Sequence, residues 1–443
     1  MAGACALRAL GLASLIALAV ALAPSSASAQ FVCGGSATGA EAQTGGGATA
    51  TGAASNSACG PNANANGTID PGTSNTAFGA SANASGNSST NTATGSLANA
   101  SGNTSRNSAF GRESNASGVG SINTATGTFA NASGNGAFNT ATGDGANASG
   151  AGFNTAIGAL TQANGDRNAV TMIGGINTAV GAFANATGNG SLNTAIGNTA
   201  LANADNAQNV AIGSDAYARA GTGNSNTAVG GLAAAGGTGG PFASGNFLTN
   251  AGATAIGFQA QAGATAAGQT NATAIGFQAQ ANALQATAIG QGAQATNISS
   301  TATGVVAKAL GLNSTATGVN SLAASDAATA TGVAARAGGL ASTATGAFSV
   351  ADGSFSTANG TGSNATSQNS SAVGASSLAS GVAGTALGAN AQATGANAIS
   401  IGGVVTAGNG PLASGAQTIA IGARSVRTIR PPLQSGPRPW QPA

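Results

Sequence analysis

Along most of the chain, apolar and polar residues alternate over short stretches, and long apolar runs are rare. In Ser300-Thr301-Ala302-Thr303-Gly304-Val305-Val306-Ala307-Lys308-Ala309-Leu310-Gly311 two alternating stretches are separated by Gly, and alternation with period two is a strand signal. The pattern predicts two strands of about five residues per unit, joined by tight turns. Gly falls where the backbone needs positive φ or a close approach to another strand.

The unit recurs at fixed spacing. The Gly ending each Asn-Thr-Ala-x-Gly element falls at Gly79, Gly95, Gly111, Gly127 and Gly143, 16 residues apart, and then at Gly158 and Gly174. The series restarts at Gly181 and continues through Gly197, Gly213 and Gly230. After a Gly-rich stretch holding Pro241, it resumes at Gly257 and Gly276. From there it runs in steps of 14 through Gly290, Gly304, Gly318, Gly332, Gly346, Gly360, Gly374 and Gly388 to Gly402, with Gly422 closing the array beyond Pro411. A fixed period of this length marks a stack in which each repeat buries its face on the next. The predicted fold is all-β, a parallel β-roll or β-solenoid of 14–16-residue coils. At about 3.3 Å per residue and about 4.8 Å per coil, roughly 23 coils give a rod on the order of 110 Å long.

So narrow a coil holds little more than Ala between its two sheets. The Ala two places before each Gly, and pairs such as Ala307 and Ala309, suit that space. Ile157, Val180, Ile196, Ile212, Val229, Ile256, Ile275 and Ile289 then face outward as an apolar stripe, and such a stripe marks an association surface. The opposite orientation of the strands also satisfies the pattern. In the 16-residue units an Asn recurs at Asn83, Asn99, Asn115, Asn131 and Asn147. Asn suits left-handed turns, and stacked Asn side chains can hydrogen-bond along the rod.

Composition removes most chemistry. The 443 residues include no His, 11 Lys and Arg together, and 9 acids. General acid–base catalysis and metal binding both need clustered titratable groups. The acids instead stand singly, from Glu41 and Asp70 to Asp326 and Asp352. The expectation is a protein that is not an enzyme, with no cofactor and no metal. Nucleic-acid binding lacks both a basic stripe and stacking aromatics along the array.

Residues 1–29 are expected to form a cleaved signal peptide, with Arg8, an apolar run from Leu10 to Ala23, and Ala27-Ser28-Ala29 at the cut. Its removal leaves Cys33 and Cys59, an even pair that favours a disulfide in an exported chain. The remaining divisions are an irregular segment with the first coils (30–70), the 16-residue coils (71–230), an interruption (231–252), the 14-residue coils (253–423) and a basic, Pro-rich tail (424–443).

Asn154-Thr155-Ala156-Ile157-Gly158, Asn209-Val210-Ala211-Ile212-Gly213, Thr254-Ala255-Ile256-Gly257 and Thr418-Ile419-Ala420-Ile421-Gly422 resemble the head repeats of YadA-like trimeric autotransporter adhesins. The resemblance spans residues 36 to 423. It implies a left-handed parallel β-roll, a homotrimer around one axis, and attachment to extracellular matrix, surfaces or other cells from an outer-membrane or extracellular location. The stalk and C-terminal membrane anchor of that family are not recognisable, and no transmembrane anchor is visible. A different class of function is also open. Thr-x-Thr pairs at Thr301/Thr303, Thr315/Thr317, Thr329/Thr331 and Thr343/Thr345 resemble the ladders of ice-binding, antifreeze-type β-solenoids.

Overall fold

The computed structural model describes residues 33–35, 43–45, 47–52, 55–68, 72–166, 175–219, 221, 225–237, 250–404, 406 and 409–427. Among these the secondary structure is strand and turn without a helix, wound into a parallel β-solenoid. One face is a 24-stranded sheet; every strand from Ser57–Cys59 to Ile419–Ile421 runs parallel to its neighbours, and only Cys33–Gly35 joins antiparallel. The second face is a 15-stranded sheet from Leu201–Asn203 to Val426–Arg427. Before Leu201 that face is held by single bridges linking Asn64, Asn83, Asn99, Asn115, Asn131, Asn147, Gln162 and Asn185 in turn. Strands are shorter than the alternation predicted, three residues in the long sheet and mostly two in the other, because turns take up the rest of so narrow a coil.

The orientation left open by the sequence is settled with Ala inside. Ala302, Ala307 and Ala309 have no exposed surface, and the same holds for nearly every Ala of both columns. Thr and Ile or Val of the long sheet point outward. Gly at the end of each three-residue strand is dictated by the stacking distance. Gly304 has φ of 135°, and a Cβ there would lie 2.5 Å from the carbonyl oxygen of Gly318 in the next coil. Two residues further on, the turn passes through the left-handed region, occupied by Phe129, Phe183, Val306 and Phe348 among others.

The 16-residue coils are built around Asn. The Asn of Asn-Thr-Ala-x-Gly is buried in coil after coil, from Asn75 through Asn107 and Asn139 to Asn226. Asn107 Nδ2 donates to the carbonyls of Ser101 (3.1 Å) and Gly118 (3.0 Å), while its Oδ1 accepts from Ser121 Oγ (2.9 Å) and from the Asn123 N–H (3.1 Å). These bonds close the longer turn, whose carbonyls would otherwise be buried unpaired. In the 14-residue coils Ser or Ala takes the position, except for Gly384 and Thr418. There Ser314 N–H and Oγ both return to the carbonyl of Gly311 (3.3 and 2.7 Å), closing a tighter turn. On the outer face the expected amide ladder is present: Asn83 Nδ2 donates to Asn99 Oδ1, and so on to Asn147, at 3.2–3.3 Å.

Three departures from the spacing stand out. Gly174 lies outside the described residues, and the ladder passes directly from Thr155–Ile157 to Thr178–Val180. At the Gly-rich stretch, Thr227–Val229 pairs directly with Thr254–Ile256 and Ala234–Ala235 with Gln261–Ala262, so the stack is continuous across it. At the other end the coil continues past 423: Arg424 occupies a left-handed turn and Val426 pairs with Leu412. Residues 1–29, expected to form a signal peptide, and the tail beyond 427 lie outside the described residues.

Candidate association face

The long sheet carries two outward columns. The first is Thr in most coils, from Thr76 to Thr385, and the second is the residue before each Gly. In this second column the structure brings together all eight residues of the expected apolar stripe. Ile157, Val180, Ile196, Ile212, Val229, Ile256, Ile275 and Ile289 pair in unbroken register through successive coils. The Ile side chains are 36–42% exposed, and Val180 and Val229 are half-buried.

The Thr ladder occupies the same columns further along the rod. Thr303 follows Ile289 in register and leads to Thr317, Thr331 and Thr345, after which Asn359, Val373 and Leu387 take over. Two hydroxyl columns therefore coincide over those four coils, bounded by Ile289 on one side and Asn359 on the other, and again only at Thr92/Thr94, Thr124/Thr126 and Thr140/Thr142, where Phe110 and Ile157 interrupt them. An extended, uniform hydroxyl face is what an ice-binding solenoid would present, and the array does not favour that reading.

A third apolar column was missed from the sequence. Ile122, Phe138, Phe153, Ile176 and Leu192 each precede the buried Asn of their coil and lie beside the Thr column, with Phe138 and Phe153 stacked at 4.9 Å between ring centroids. The signal was available as an apolar residue at one position in five consecutive coils. It is masked because the intervening Asn, a turn former, separates each of these residues from the Thr-Ala-x strand. With this column the apolar face is broadest from 153 to 196, where it runs alongside Ile157, Val180 and Ile196.

Elsewhere, Phe258 stacks on Phe277 at 5.8 Å, and Arg112 lies 4.7 Å over the Phe129 ring. Two exposed ion pairs, Arg112–Glu113 and Arg336–Asp352, add little stability at such positions, about 0–1 kcal/mol each. Burial, with the neighbouring Asp215 charge and its hydrogen bond, pushes the Tyr217 phenol up to about 12, and burial lowers Arg219. Neither shift poises a proton donor or acceptor near neutrality. Among the described residues no group of three His, Cys, Asp or Glu could hold a metal, and no helix is long and apolar enough to cross a membrane. Cys59 is disulfide-bonded, and Cys33 stands opposite it in the antiparallel register.

No curated protein matches the chain in sequence. The model of the YadA head domain repeat matches residues 267–293, 295–321, 351–377 and 379–403, each match about two coils of the 14-residue region. The coils in those four segments are thus similar to YadA head repeats.

Proposed function

We propose that the chain is a non-enzymatic, adhesin-like head, exported and exposed at the cell surface or released, that attaches to host matrix, surfaces or other cells. The observation that carries this reading is an unbroken outward apolar column on a rod that contains YadA-like head repeats. A column of Ile and Val left in water is unfavourable by roughly 25 cal/mol per Å² of apolar surface, and packing three copies around one axis would bury it. On this reading the left-handed roll assembles as a homotrimer through Ile157 to Ile289. Residues 1–29 direct export, and Cys33 and Cys59 form the bridge that staples the first coils in an oxidising compartment.

Light scattering of the purified protein tests the assembly. A mass of three chains is expected, falling towards one chain in the Ile196→Lys/Ile212→Lys variant. A clean monomer of the unaltered protein would remove the trimer. Attachment is measured separately, with protein-coated beads on matrix-coated and cell-covered surfaces; beads that behave like uncoated controls on every surface would end the adhesive reading.

A further inference from the structure

Nearly half of the chain's Gln residues lie between residues 259 and 294, and the coil register gathers five of them. Gln261, Gln280 and Gln294 follow one another along the second sheet, while Gln259 and Gln278 occupy the left-handed turn in two of the same coils. Together they line a groove of about 500 Å³, with Leu232 at one end. That volume lies within the roughly 300–1,000 Å³ of small-molecule sites. Gly292 holds the turn position that carries a side chain in Leu232, Gln259 and Gln278, and so leaves the groove open on that side. The repeat itself does not call for Gln. In the sheet column beyond Gln294 the next coils carry Lys308, Leu322, Arg336 and Val350 in register, so the run of Gln belongs to these coils alone.

Two contacts order part of this wall: Gln278 Nε2 donates to Gln259 Oε1 (2.8 Å), and Asn282 Nδ2 donates to Gln261 Oε1 (3.3 Å). The half-buried side-chain amides of Gln280 and Gln294 make no hydrogen bond among the described residues. Each therefore offers both a donor and an acceptor to a ligand. The lining contains no charged side chain. The main chain, by contrast, is committed to the stack: the Gln280 N–H donates to the Ala293 carbonyl and the Gln294 N–H to that of Ala307, both at 2.8 Å. A ligand in the groove meets side-chain amides and no free sheet edge.

These features discriminate between ligand classes. An ionic ligand would find no opposite charge in the lining, and an apolar one would strip water from the amides and leave them unpaired. An extended polypeptide gains its affinity by adding to a free strand edge, which the groove does not present. Sugar hydroxyls both donate and accept, as the amides do. We propose that this groove binds a neutral oligosaccharide, its hydroxyls held by Gln280, Gln294 and the ordered Gln259–Gln278 pair. The lining residues come from successive coils stacked about 4.8 Å apart, a length of about 14 Å from Leu232 to Gln294, which suits a short run of sugar units better than a single one. The proposal deepens the adhesive reading and rests on it for its biological setting.

Isothermal titration of the full purified protein tests the site. The neutral probes are cellohexaose, maltohexaose, chitohexaose and mannohexaose, with a hyaluronan hexasaccharide as the anionic probe and reduced, alkylated α-lactalbumin as the unfolded polypeptide. Binding of at least one neutral probe is expected, with hyaluronan and the polypeptide at least tenfold weaker. Gln280→Val/Gln294→Leu should weaken the neutral probe at least tenfold while the melting temperature stays unchanged, since Leu322 and Val350 already stand in the same column. Gln392→Val, in that column but away from the groove, should leave binding as it was. Gly292→Asn, a replacement tolerated at its φ of 63°, puts a side chain into the opening and gives a second, independent loss of binding. Failure of all four neutral probes at millimolar concentration would overturn the site, as would a preference for hyaluronan or the polypeptide, unaltered binding by both groove variants, or an equal loss in Gln392→Val. Sugar binding by a protein whose coated beads attach to nothing would uphold the groove and sink the adhesive reading, and attachment without sugar binding would do the reverse.

Discussion

Asn123 shows how one side chain holds a coil. It is fully buried; Nδ2 donates to the carbonyls of Ser117 (3.1 Å) and Gly134 (3.0 Å), and Oδ1 accepts the Asn139 N–H (3.1 Å). Exchange for Asp keeps the shape but turns the donating end towards two carbonyl oxygens. Burial and that repulsion both disfavour the charged form, so the carboxyl pKa in the folded state would rise above its unfolded value of about 3.9. The sign follows from linkage: a raised folded value leaves the variant least perturbed below the unfolded pKa and progressively destabilised as pH rises above it. Asn123→Asp should therefore cost about 3 kcal/mol at pH 7 and distinctly less at pH 3, each measured by denaturant titration against the unaltered protein. An equal loss at both pH values would show that ionisation is not the cause.

Coil length is set by the residue in front of Thr-Ala-x-Gly. Asn reaches across the longer turn, whereas Ser314 and its equivalents fold back on a tight one. Ser314 has no exposed surface, so Ser314→Asn adds atoms to a turn with no carbonyls left to receive them. Overpacking of this kind costs about 1–3 kcal/mol, and the loss should appear as a lower denaturation midpoint; an unchanged midpoint would mean that turn length, not this side chain, sets the fit. Much of the element pattern was legible: period-two alternation and the recurring Gly located the strands, and the small size of Ala suited it to the interior, although only the structure decided between the two orientations. The buried Asn column was not, because Asn reads locally as a turn residue, and only stacking shows that its amide bridges two coils.

The molecule is close to one-dimensional, since among the described residues the repeating coils pack on their immediate neighbours along the rod. Stability then approximates a sum of coil and interface terms, and a fault can be contained. Ala316 sits between Ala302 and Ala330 in the long sheet, without exposed surface. A Leu there cannot be accommodated in the thickness set by Ala, and the strain, about 1–3 kcal/mol or more, falls on three coils. Hydrogen exchange should report lost amide protection in Ala316→Leu over roughly residues 300 to 332, with protection retained near residues 92–142 and 371–401. The outward Thr and Ile columns of the distant coils would keep their register, so an association face centred on residues 157 to 289 should survive a break beyond it. Uniform loss of protection from end to end would instead mean that the rod folds as one cooperative unit, and the coil-by-coil description would be wrong.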